Sequence, residues 1–212
     1  MDPRELLSHA WHDLARRHDC ETPRALLLLD ELLADYSEPK RSYHTVEHIA
    51  SLLRQLDDHG RAVVDRDAVV LAMLFHDVIY DPLRHDNEER SAALARERLA
   101  SVGLPDQLVA KVERYIQATK HRQDLDTDDA DLALLLDLDL STLAAEPAEY
   151  RLYADAIRRE YEEVPDEQYR SGRRRVLEGF LARGRIYQTD RLRARWEERA
   201  RANIAAEIAD LA

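Results

Sequence analysis

Turn-forming residues are scarce in this chain: 5 Gly and 7 Pro among 212 residues. A β-sandwich or barrel of this size needs a turn signal about every 8–12 residues, so the chain does not read as all-β. Cysteine is nearly absent. Cys20 is the single one, which rules out an internal disulfide and a cysteine-rich zinc module and fits a reducing compartment. No apolar run approaches the ~20 residues needed to cross a bilayer. The first residues, Met1-Asp2-Pro3-Arg4-Glu5, lack a basic region followed by an apolar one. The expectation is therefore no secretion signal and a cytoplasmic location.

Positive charge is in deficit, with 31 Lys and Arg against 43 Asp and Glu, a net charge of −12. That opposes nonspecific binding to nucleic acid or to an anionic membrane. It does not oppose a small phosphate ligand, because a metal ion and a few cations can reverse the field inside one pocket.

What the chain has in abundance is Ala, Leu, Arg and Glu, all helix formers. Apolar residues make up 45% and charged residues 35%, a globular composition with a heavily charged surface. Asp2-Pro3 and Thr22-Pro23 are start signals for two helices. Residues 37–42 read as a loop. A third helix is expected from Thr45 to His59 and a fourth from Asp67 to Asp77. Ala68–Phe75 is apolar on every side, so the fourth helix should be central. Asp86 and Glu89 suit a capping box, opening a helix that stops at Gly103. Another helix should span Pro105–Thr119, then a loop over His121–Asp131, then a buried helix over Leu132–Leu143. Breaks near Pro147, Pro165 and Gly184 separate two or three amphipathic helices, the last from Asp190. The expected fold is all-α, one helical bundle spanning 1–212.

Polar residues that interrupt apolar helices carry the chemistry, because burying them without a partner is costly. There are three such places. His44 and His48 are four apart and would share a helix face. His76 and Asp77 leave the end of the most apolar helix, where a carboxylate is electrostatically misplaced beside the negative helix terminus. Asp137 and Asp139 sit in a leucine run and would point to nearly opposite sides, one to a site and one to a supporting role. Two imidazoles and two carboxylates suit a divalent ion such as Mn, Fe, Co, Ni, Zn or Mg.

The order His48…His76-Asp77…Asp139 resembles the H…HD…D signature of the HD superfamily of metal-dependent phosphohydrolases, which are all-helical. Four further blocks are similar to a group of predicted HD phosphohydrolases about this long: Arg41-Ser42-Tyr43-His44, Asn87–Ala92, Asp137–Leu140 and Arg185–Thr189. The similarity runs from near Arg41 almost to the C-terminus. It implies an HD-type helical domain over 1–212, with metal-site motifs within 44–139 and helices of 146–212 packed on it. It implies His48, His76, Asp77 and Asp139 as ligands of a divalent metal centre of one ion or two, with His44 and Asp137 beside the site. It also implies an acidic residue after the dyad that handles protons: Asp81, with Glu47 and Glu88 behind it. Asn87, Lys120 and His121 are further candidates for contact with substrate or support of the site. The activity implied is hydrolysis of a small phosphate ester such as a nucleotide by metal-activated water. Amphipathic helices would also suit a homodimer.

Two other readings compete. His44-Thr45-Val46-Glu47-His48 matches H-x-x-E-H, a zinc-protease pattern with Glu47 as base. That reading leaves His76, Asp77 and Asp139 without a purpose. The other is a non-catalytic metal-binding helical module that senses a ligand or binds a partner.

Overall fold

The computed structural model describes residues 1–20, 22–120 and 127–212. Among them it is all-α, as expected. Contacts gather the chain into two compact units, Met1–Lys120 and His121–Ala212.

The first unit holds α1 (Pro3–Arg17), α2 (Pro23–Asp35), α3 (Val46–His59), α4 (Arg66–Phe75), α5 (Asn87–Ser101) and α6 (Asp106–Ala118). Local chemistry sets the starts. The Asp2 carboxylate accepts the Arg4 N–H, and Glu5 accepts the Asp2 N–H in return, a closed capping box. Thr22 caps α2 by accepting the Ala25 N–H. Trp11 is fully buried and donates its indole N–H to the Ala25 carbonyl at 2.9 Å, tying α1 to α2. Helix α4 touches α1, α3, α5 and α6. All eight residues from Ala68 to Phe75 are buried, which explains why this helix has no polar face.

Two boundaries differ from expectation here. Helix α4 starts at Arg66 because Asp65 caps it through the Ala68 N–H, and it ends at Phe75. His76 is its C-cap and Asp77 lies beyond. The capping box of α5 does not form. Both Asp86 oxygens are taken by Arg84, at 2.7 Å each, and Glu89 binds the Lys120 ammonium at 2.6 Å.

The second unit holds α7 (Ala130–Asp139), a 3₁₀ segment (Leu140–Ala144), α8 (Pro147–Glu160), α9 (Asp166–Ala182) and α10 (Asp190–Asp210). Helix α7 begins earlier than the expected loop allows, because Asp129 caps it through the Leu132 N–H. It also ends earlier than expected, at Asp139. The chain goes on as the 3₁₀ segment Leu140–Ala144, and Pro147 opens α8. The Leu143 carbonyl accepts from the Asn203 amide at 2.9 Å, and the Leu140 carbonyl accepts from the Tyr187 hydroxyl at 3.0 Å. Deeper in this unit, the Glu207 carboxylate joins three helices. It accepts from Tyr150 on α8 at 2.5 Å and from Arg173 on α9 at 2.7 Å. Among the described residues no helix is long and apolar enough to cross a membrane.

Candidate metal centre

The first unit brings together His48, His76 and Asp77. His48 lies in the first turn of α3, and both its ring and that of His76 are buried. The Asp77 side chain keeps 18% exposure, so the cluster opens toward solvent at that residue.

Distances define what the cluster can do. His48 Nε2 and His76 Nε2 are 3.3 Å apart. Asp77 Oδ2 is 2.9 Å from His76 Nε2 and 3.8 Å from His48 Nε2. Three atoms so spaced lie on a circle of radius about 2.0 Å, and divalent-ion bonds to imidazole nitrogen or carboxylate oxygen are about 2.0–2.2 Å long. One ion can therefore reach all three donors without moving them. His76 Nδ1 is 3.0 Å from the Met73 carbonyl. A carbonyl only accepts, so Nδ1 donates to it, and Nε2 is the atom that would ligate a bound ion. A polar group at the end of a buried helix thus acquires both a backbone anchor and a ligand atom.

The segment after α4 is held by side chains rather than by regular structure. Arg41 donates to the Asp77 carbonyl at 2.7 Å and the Val78 carbonyl at 2.9 Å. Two residues one turn apart on α5 grip the next stretch. The Ser91 hydroxyl accepts the Ile79 N–H and donates to the Ile79 carbonyl. The Asn87 amide accepts the Asp81 N–H at 3.1 Å and donates to the Asp81 carbonyl at 2.8 Å. Asn87, expected near substrate or in support, therefore spends its amide on the loop carrying Asp81. One oxygen of Asp81 accepts the Leu83 N–H at 2.9 Å, which fixes the carboxylate in a turn.

His44 does not share a helix with His48, since it precedes the Thr45 cap of α3. Its ring packs on Tyr80 with centroids 4.1 Å apart, and its Nε2 is 3.9 Å from Asp77 Oδ2. It flanks the cluster. Glu47 faces away: its side chain is 62% exposed, paired with Arg54 at 2.7 Å, and it lines a cleft of about 420 Å³ with Asp2 and Arg4. A protease base would have to face the ion. Glu47→Gln is accordingly expected to leave both metal content and turnover unchanged, and loss of turnover with the metal retained would restore Glu47 as the base of the H-x-x-E-H assignment. Lys120 donates to the His85 carbonyl and pairs with Glu89 at 2.6 Å, with Glu88 at 4.0 Å. The phenol of Tyr36 is pushed well above its usual range, by burial first and the Asp77 charge second, so it stays a neutral hydroxyl.

The two aspartates of α7 lie in the second unit and differ sharply there. Asp137 is fully buried. One oxygen accepts the Gln188 N–H at 2.5 Å, and the other accepts the Thr189 N–H at 2.8 Å and its hydroxyl at 2.6 Å. It fastens the start of α10. Asp139, the last residue of α7, is partly exposed. His121 falls outside the described residues. The signal that sequence reading left unused is Arg41, noticed only as part of a motif block. No family model, curated protein or solved structure matches the chain.

Proposed function

We propose that the chain is a metal-dependent phosphohydrolase of the HD type, acting on a small phosphate ester, a nucleotide being the first candidate. The observation that carries the reading is the convergence of His48 Nε2, His76 Nε2 and Asp77 Oδ2 on one point at bonding distance from all three. The sequential order of these residues, H then HD, supports it.

A divalent ion there would supply Lewis acidity toward a water and a phosphoryl oxygen. The residues do the rest. His76, its Nδ1 anchored on the Met73 carbonyl, turns Nε2 toward the cluster. Asp77 brings negative charge and stands at the solvent side. Asp81, held by Leu83 and Asn87 four residues later, is the carboxylate we assign to the proton, orienting water or protonating the leaving oxygen. Mixed nitrogen and oxygen donors suit Mn, Fe, Co, Ni, Zn or Mg.

The test is a panel of phosphate esters, including nucleoside mono-, di- and triphosphates and cyclic nucleotides, assayed with protein loaded with each ion in turn. Turnover that a chelator abolishes and re-addition of metal restores is the expected result. Tight metal binding with no turnover across the panel would move the assignment to a metal-binding sensor module.

A further inference from the structure

We propose that Arg41 is a positioning residue for the metal site: its guanidinium fixes, through backbone carbonyls, where Asp77 and His44 stand. The inference rests on the metal reading above.

The guanidinium is buried, with 1% of its side chain exposed. One terminal nitrogen donates to both the His44 carbonyl at 3.2 Å and the Asp77 carbonyl at 2.7 Å, and the other donates to the Val78 carbonyl at 2.9 Å. The segment before α3 carries His44 and leads into the first turn with His48, the segment after α4 bears Asp77, and one planar fork spans both segments. Tyrosines flank it, with the Tyr36 ring 5.2 Å and the Tyr80 ring 5.7 Å from the guanidinium carbon. Tyr80 continues the contact onto the His44 ring.

A buried cation is costly even when paired, and here its partners are neutral carbonyls. The nearest carboxylate, Glu38 Oε2, is 3.9 Å from Arg41 Nε, too far for a hydrogen bond, and both atoms lack a hydrogen-bond partner. Arg41 keeps only this long ion pair with Glu38, whose Oε2 is closer to Lys40 at 3.3 Å, and spends both terminal nitrogens on the carbonyls of the two site segments. A second support around a metal typically changes affinity about 10–100-fold when removed.

Cobalt(II) titration of the full chain, read by visible absorption, separates the possibilities. Arg41→Ala should weaken cobalt binding by about 10–100-fold, with partial recovery on adding guanidinium at a concentration below denaturing. Arg41→Lys keeps the charge and the stem but loses the fork, and should still weaken binding severalfold. It carries the test if the alanine variant does not fold. Glu38→Ala should bind cobalt like wild type. Leu28→Ala, a buried change elsewhere in the unit, should lower stability and leave cobalt affinity alone. Wild-type affinity in both Arg41 variants would overturn the positioning role and leave the metal site standing. Equal losses in Leu28→Ala would reduce Arg41 to general stability. Failure of the wild type to bind cobalt would overturn the metal reading itself.

Discussion

Asp77→Ala is expected to purify folded and without metal, and to lose turnover by about a thousandfold or more, the scale set by losing activation of water. The effect is large because Asp77 is the one anionic donor of the three. Without it His48 and His76 offer two neutral nitrogens 3.3 Å apart, which hold a dication far less well than two nitrogens and a carboxylate. Folding should survive, since the Asp77 side chain is partly exposed and the carbonyl that Arg41 grips belongs to the backbone. Elemental mass spectrometry of wild type and variant, with circular dichroism on both, gives the answer. A melting assay adds an independent reading. Metal at about 100 times its dissociation constant should stabilise wild type by about 2.7 kcal/mol and the variant not at all. Equal metal in both proteins would sink the ligand set.

Asp137→Ala should cost about 3–5 kcal/mol of stability, visible as a lower urea midpoint. Two backbone N–H groups and a hydroxyl at the start of α10 would lose their acceptor, and each unmet buried donor costs roughly 1–3 kcal/mol. Asp137→Asn keeps the shape but turns an amide NH₂ toward at least one of these donors, so it should cost less and still destabilise. The pH dependence has a definite sign. Burial raises the Asp137 pKa and outweighs the donors of Thr189 and Gln188, which lower it. A carboxyl whose folded pKa is raised stabilises the fold fully below the ordinary carboxylate range near about 4, and that contribution fades as pH rises through the folded value. The stability gap between wild type and Asp137→Asn should therefore narrow as pH climbs from about 4 toward neutral. A gap that widens over that window would mean that the carboxylate is held in its charged form.

Much of this was legible in the sequence, for reasons that differ by residue. Asp2-Pro3 and Thr22-Pro23 announce helices because capping is local chemistry. His48, His76 and Asp77 stand out because a polar side chain on a leucine-rich helix needs a purpose, and they do come together. The readings that changed depend on partners distant in the chain. The Asp86–Glu89 box fails because Arg84 and Lys120 outbid the helix end. The helix through Leu143 stops early because Asn203 and Tyr187 take its carbonyls. The spacing of His44 and His48 suggested one helix face, whereas a cap at Thr45 puts them on different elements. Asn87 is expected near substrate or in a supporting role from its motif position, and its amide serves the backbone of Asp81. Arg41 escaped notice for the same reason: its partners are main-chain carbonyls, which leave no trace in side-chain patterns.

The burial of Ala68–Phe75, most of α4, sets a timescale. Its amides can meet deuterium only when the helices around it part, so they belong among the slowest to exchange. His76 and Asp77 follow directly on that helix, and an ion bound there favours the closed state alone. Occupancy of the site is thus written into the exchange lifetimes of Ala68–Phe75, residues that never touch the ion. A mass-spectrometric peptide from α4 becomes a reporter of metal binding that needs neither a substrate nor a coloured ion.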